Sequence, residues 1–229
     1  MKILRTPARI RAASRAARAR GRRIGFVPTM GFLHEGHLAL VRRARRECDV
    51  VVASIFVNPL QFGPKEDFRA YPRAPRRDRA AFRAAGVDLC FEPSVRALYP
   101  EGFATRVSVA GLDERLCGRF RPGHFAGVAT VLAKLLACCE PDRLYIGAKD
   151  WQQARILDRM ARDLDLATRV ITCPTVREKD GLAMSSRNVY LAPEERAWAP
   201  AIHRALQEVA GRVRRGEIRR AAAAEREVA

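Results

Sequence analysis

Histidine is scarce in this chain, with four among 229 residues. Aromatic residues are also few at 7%, which leaves little for the base-stacking surfaces of single-stranded nucleic-acid binders. No apolar run approaches the roughly eighteen residues of a membrane span, so a soluble, cytoplasmic protein without membrane contact is expected. The six cysteines, Cys48, Cys90, Cys117, Cys138, Cys139 and Cys173, show no C-x-x-C spacing. That absence argues against a zinc pattern and a disulfide framework, and favours thiols acting as small hydrophobes. Acidic residues are outnumbered: 25 Asp and Glu stand against 43 Lys and Arg, for a net charge of +18.

Such a charge invites nucleic-acid binding, because clustered cations release counterions from phosphates. Here the excess is nearly all arginine, scattered through alanine-rich stretches from Arg5 to Arg220. Net charge of that kind speaks to non-specific association, and no specific nucleic-acid partner is expected. Residues 1–23 contain no acid and have the composition of a mitochondrial transit peptide. Against that reading, Ile3 and Leu4 open a short strand, and Pro7 suits the first turn of a helix that runs to about Arg20 and ends at Gly21. The segment is expected to belong to the fold.

What is present is alternation, and 48% apolar residues suffice to bury a core. Strands are predicted at 24–27, 50–57 (VVVASIFV), 87–91, 106–109, 143–146 and 169–173. Helices are predicted at 36–47, 75–85, 125–139, 150–164 and 193–215, with more helix near the Arg/Ala-rich tail. The run at 50–57 is β-branched, nearly unbroken and stopped by Asn58 and Pro59, as in a parallel strand covered on both faces. The succession predicts an α/β fold: a Rossmann-like open parallel sheet with flanking helices, followed by a helical C-terminal segment. The expected division is 1–175 and 176–229.

In such sheets ligands bind beyond the carboxyl ends of the strands, and the unusual residues collect there. PTMGFLHEGH follows the first strand of the central pair, NPLQF the second, GAKD the strand at 143–146, and residues 174–187 the strand at 169–173. Gly36 permits close approach of a ligand, and the helix that starts there directs free N–H groups outward. His34 and His37 suit phosphate oxygens, with a metal pair as the rival reading of H-x-x-H. Lys149 precedes the helix that Asp150 is fit to cap, a place that favours anions. That helix turns Gln153, Leu157, Met160, Ala161 and Leu164 inward, and the amide of Gln153 must find a partner there. Arg187, after Ser185 and Ser186, offers a second cation on a loop that contains Gly181.

PTMGFLHEGH, SIFVNPLQFGPKEDFRAYPR, RPGHFAGV, GAKDWQQ and KDGLAMSSRNVYL occur in this order, and the chain resembles the pantoate–β-alanine ligase family of the HIGH nucleotidyltransferase superfamily. The resemblance implies that ATP and pantoate form pantoyl adenylate, which β-alanine then converts to pantothenate with release of AMP and pyrophosphate. It assigns Met30, Gly31, Phe32, Leu33, His34, Glu35, Gly36 and His37 to ATP, with both histidines on the phosphates and His37 as proton donor. It likewise assigns Gly147, Ala148, Lys149, Asp150, a backbone contact of Val176, and the KMSKS-type loop Met184, Ser185, Ser186 and Arg187 to the nucleotide. His34, His37, Lys149 and Arg187 carry catalysis in this reading. Gln61 and Gln153 bind pantoate, Gln61 also meets β-alanine, and Arg121 has a weaker role near the substrates. Magnesium enters on the phosphates with no protein metal site, and a homodimer is implied. Two departures stand out. Ala148 replaces the family's usual Glu, and the family continues beyond the position of Ala229 into an α/β lid, so impaired water exclusion is expected.

Overall fold

The computed structural model describes residues Met1–Val228; Ala229, the last residue of the expected 176–229 segment, lies outside the described residues. The chain forms two compact units, which divide between Pro174 and Thr175. The first unit runs β1 (Lys2–Leu4), α1 (Pro7–Arg18), β2 (Ile24–Thr29), α2 (Glu35–Glu47), β3 (Val50–Ile55), α3 (Pro75–Ala84), β4 (Leu89–Phe91), α4 (Val95–Leu98), α5 (Cys117–Phe120), α6 (His124–Cys139), β5 (Arg143–Gly147), α7 (Trp151–Asp163) and β6 (Arg169–Cys173). The second carries α8 (Pro193–Trp198), α9 (Ala201–Arg214) and α10 (Ala221–Val228).

The six strands form one parallel sheet in the order β1-β4-β3-β2-β5-β6. Period-two alternation explains why both faces are dry. Ile24, Phe26, Val50 and Val52 join the core beneath α1, α6 and α7, while Val27, Val51 and Ala53 join the one beneath α2 and α3. The strand order reverses beside β2, with β3 on one side and β5 on the other. A crevice therefore opens between the carboxyl ends of β2 and β5, where parallel sheets bind ligands.

The N-terminal segment belongs to the sheet. β1 pairs with β4, Thr6 caps α1 by accepting from the Arg9 N–H, and Ile10, Ser14 and Ala17 are buried. Helix α6 is buried almost all round, as its composition predicts.

Four expectations are corrected. Residues 106–109 form no ladder; the Val107 N–H donates to the Thr130 Oγ1 at 2.9 Å instead. Asp150 does not cap α7 with its side chain, because the carboxylate is taken by Lys149. Leu164, just beyond α7, is 51% exposed rather than turned inward. The helix expected at 193–215 is two helices, α8 and α9, interrupted before Ala201. Among the described residues no helix is long and apolar enough to cross a membrane.

Candidate active site

The turn after β2 is built by Thr29 and Gly31. The Thr29 hydroxyl donates to the Ser54 carbonyl at 2.7 Å and accepts from the Gly31 N–H at 3.2 Å, locking the end of β2 to β3. His34 is then the N-cap of α2 and His37 its third residue, and the two form a reciprocal cap. The Gly36 N–H donates to His34 Nδ1 at 3.1 Å, and the His34 N–H to His37 Nδ1 at 3.3 Å. The outward backbone donors expected of this helix start are thus partly used by the imidazoles. A neutral ring that accepts at Nδ1 holds its proton on Nε2. Each histidine therefore presents an Nε2–H donor.

Burial, the neighbouring His34 and the charge of Lys149, in that order, push the His37 imidazole down to about 3 from the ordinary 6.5. His37 is neutral at physiological pH, so it meets a phosphate as a hydrogen-bond donor rather than as a standing cation. The influence of Lys149 places the ends of β2 and β5 within reach of each other's charge. Lys149 lies in the short 3-10 turn Ala148–Asp150 that joins β5 to α7, and its Nζ donates to Asp150 at 2.9 and 3.2 Å. Gly147 closes β5, paired with Cys173, and Ala148 opens that turn.

The second wall comes from the 3-10 turn Pro59–Gln61 after β3. Gln61 Nε2 donates to the Met30 sulfur at 3.3 Å, which joins this wall to the histidine turn. Asn58, 1% exposed, sets the geometry. Its amide donates to Gln61 Oε1 and to the Gly127 carbonyl, both at 3.1 Å, and its oxygen accepts from the Tyr99 hydroxyl at 2.8 Å. Gly127 is required where α6 meets this turn, since a Cβ there would lie 2.1 Å from the Leu60 carbonyl oxygen.

His124 Nδ1 donates to the Gln61 carbonyl at 2.8 Å, so its Nε2 accepts from Arg121 at 3.2 Å. Arg121 in turn binds Glu66, and this pairing holds the Glu66 carboxyl below its usual range. Gln153 is half-buried on the first turn of α7, and its amide has no protein hydrogen-bond partner among the described residues.

The structure thus joins Met30 to Gln61 and His34 to His37 through direct contacts, with Lys149 in electrostatic reach of His37. The Glu35 carboxylate pairs with Arg42 along α2. Val176, Met184, Ser185, Ser186 and Arg187 belong to the second unit. There the Met184 N–H donates to the Val176 carbonyl at 3.0 Å, Arg177 and Ala183 form a β-bridge, and the Ser185 hydroxyl caps a 3-10 turn by accepting from the Arg187 N–H. Ser186 is buried. Sequence reasoning missed Asn58, Tyr99 and Asp78 as parts of this architecture. Asn58 stood in the NPLQF segment, but Tyr99 follows the end of α4, and Asp78, which accepts from the Phe32 and Leu33 N–H groups, comes from the first turn of α3.

Comparison with known proteins is consistent with this geometry. A family model described as pantoate-beta-alanine ligase matches residues 2–229. The pantothenate synthetase of Moorella thermoacetica is 56% identical over 217 residues, covering 95% of this chain and 77% of that protein. That of Thermus thermophilus is 60% identical over 192 residues, covering 82% and 70%. The crystal structure of pantothenate synthetase from Thermus thermophilus aligns with a TM-score of 0.92 at 53% identity, over all of this chain and 80% of that one. A pantoate-beta-alanine ligase from Francisella tularensis, complexed with beta-gamma ATP and beta-alanine, aligns with a TM-score of 0.85 at 38% identity, over 90% of this chain and 79% of that one. With residues 2–229 matched and the fold shared, this chain belongs to the pantoate-beta-alanine ligase family.

Proposed function

We propose that this chain condenses pantoate with β-alanine at the expense of ATP, through pantoyl adenylate, releasing AMP and pyrophosphate. The observation that carries the reading is the two-sided crevice at the strand reversal. The His34–His37 cap and Lys149 supply donors for a polyphosphate, and Gln61, tied to Met30, forms the adjoining wall.

In the first step the pantoate carboxylate attacks the α-phosphorus in line, and negative charge shifts toward the departing pyrophosphate. Little covalent work falls to the protein, so positioning and charge stabilisation must supply the rate. We assign the Nε2–H groups of His34 and His37, the Lys149 ammonium and the Arg187 guanidinium to those phosphate oxygens. Residues 30–37 and 147–150, the Val176 backbone and residues 184–187 hold the nucleotide, which enters as its magnesium complex. Among the described residues no group of three His, Cys, Asp or Glu is placed to hold a metal ion. Gln61 and the open amide of Gln153 orient pantoate. In the second step the β-alanine amine, guided by Gln61, attacks the mixed-anhydride carbonyl and AMP leaves.

The enzyme is further assigned to the cytoplasm, as a homodimer through its first unit, with no specific nucleic-acid partner. Pantoate-dependent exchange of pyrophosphate into ATP, without β-alanine, tests the central reading. Exchange that needs pantoate is expected. Its absence, with tight RNA binding at physiological salt, overturns the assignment.

A further inference from the structure

The turn that delivers the histidine pair is not held by its own residues alone. Gly31 (φ 85°) and Phe32 (φ 49°) both take left-handed backbone, and Phe32 does so without being glycine. Such a conformation persists only where surrounding structure enforces it. It also aims consecutive N–H groups into one concavity, a natural seat for an anion.

Asp78 fills that seat. One carboxylate oxygen accepts from the Phe32 N–H and the other from the Leu33 N–H, each at 2.8 Å. The side chain is 1% exposed and arrives from the first turn of α3, 45 residues away in sequence from Leu33. Its neighbour Arg77 closes the other side, donating to the Leu33 carbonyl at 2.6 Å with its guanidinium 4.9 Å above the Phe32 ring. Both backbone polar groups of Leu33 and the N–H of Phe32 are therefore tied to two consecutive residues of α3. The next residue is His34.

We propose that Arg77 and Asp78 are positioning residues for adenylation: by gripping Phe32 and Leu33 they fix where His34 and His37 present their Nε2 edges to the nucleotide phosphates. The inference rests on the proposed function. The Nδ1 bonds of the cap orient each ring relative to the turn, but only an anchor outside the turn sets it relative to Lys149 and the opposite wall. Neither Arg77 nor Asp78 is assigned to substrate. A displacement of about 1 Å in such donors is enough to cost roughly 10²-fold in rate.

The test uses Asp78→Asn and Arg77→Ala in the full chain, with pantoate-dependent exchange and the imidazole 15N spectrum as readouts. The carboxamide introduced by Asp78→Asn keeps one acceptor but turns an NH2 toward the other backbone N–H, so kcat/KM for ATP is expected to fall roughly 10²-fold. KM for pantoate should stay within about twofold, since Gln61 and Gln153 hang on other elements. The signals of His34 and His37 should also move from the fixed Nε2–H pattern toward mixed tautomers. Arg77→Ala, at an exposed position, should shift both readouts the same way by a smaller amount, and it decides the matter alone if Asp78→Asn does not fold.

Wild-type kcat/KM for ATP with unchanged imidazole signals overturns the proposal. So does a loss shared equally by ATP and pantoate constants with the imidazoles unmoved, which is the mark of general destabilisation. If the unmutated chain shows no exchange, the functional reading fails on its own, and the imidazole signals still decide whether this pair positions the histidines.

Discussion

The rings of His34 and His37 lie with centroids 4.0 Å apart, and the backbone N–H of His34 ends on Nδ1 of His37. This contact makes the second histidine part of the cap that the first one begins. It also commits the His37 proton to Nε2, and with burial it holds the ring neutral. Because the folded-state value of about 3 lies below the ordinary 6.5, the unfolded chain binds more protons throughout that window. Stability is therefore expected to fall as pH drops from 6.5 toward 3, and to fall less in His37→Asn, as thermal unfolding across that range would measure. In the same free enzyme, kcat/KM for ATP should show no acid limb near 6.5 that disappears in His37→Asn. A His37 imidazole that titrates near its ordinary value by NMR would contradict both expectations.

Lys149 acts on this ring across the strand reversal, and the sign of the coupling is testable. Its charge disfavours the imidazolium, so Lys149→Ala should raise the His37 value. The same change should lower adenylation by about 10² or more, the scale of a lost transition-state donor. His37→Ala should do likewise. Wild-type turnover in either variant would remove that residue from the mechanism.

The sheet was legible because a strand covered on both faces has to be an apolar run, and VVVASI is one. The strand-end rule then located His34, His37, Gln61 and Lys149 without knowledge of their partners. Partners were the illegible part. Asp78 is one acid among the arginines of PRRDR, and its contact with Leu33 spans 45 residues. Residues 106–109 alternate like a strand, yet Thr130 supplies the hydrogen bond that a ladder would have made. Asp150 had the chemistry of a cap but stood beside a lysine. In each case local preference was set aside by a partner that the pattern of the segment does not reveal.

Asn58 should prove costly to remove. Asn58→Ala leaves the Gly127 carbonyl and the Tyr99 hydroxyl without the partners they have now. Each buried group so abandoned costs about 1–3 kcal/mol. A Tm drop of at least about 4 °C is expected, taking roughly 2–4 °C per kcal/mol for a chain of this size. Calorimetry on the purified variant checks it, and an unchanged Tm would mean that water or rearranged side chains fully replace these bonds.

Gly127→Ala tests the same wall from the opposite side, with no polar group removed. The added Cβ would lie 2.1 Å from the Leu60 carbonyl oxygen and 2.7 Å from Gln61 Cα, both backbone atoms that cannot swing aside. Either α6 or the Pro59–Gln61 turn must retreat, and overpacking of this kind costs about 1–3 kcal/mol. Because the turn carries Gln61, the retreat should reach pantoate before it reaches the nucleotide. The histidine turn is anchored independently by Asp78. KM for pantoate is therefore expected to rise by about tenfold or more, the equivalent of about 1.4 kcal/mol, while KM for ATP changes little. An equal rise in both constants would show that the two walls of the crevice move as one body, and that the Gln61–Met30 contact couples them more tightly than the anchor on α3 holds them apart.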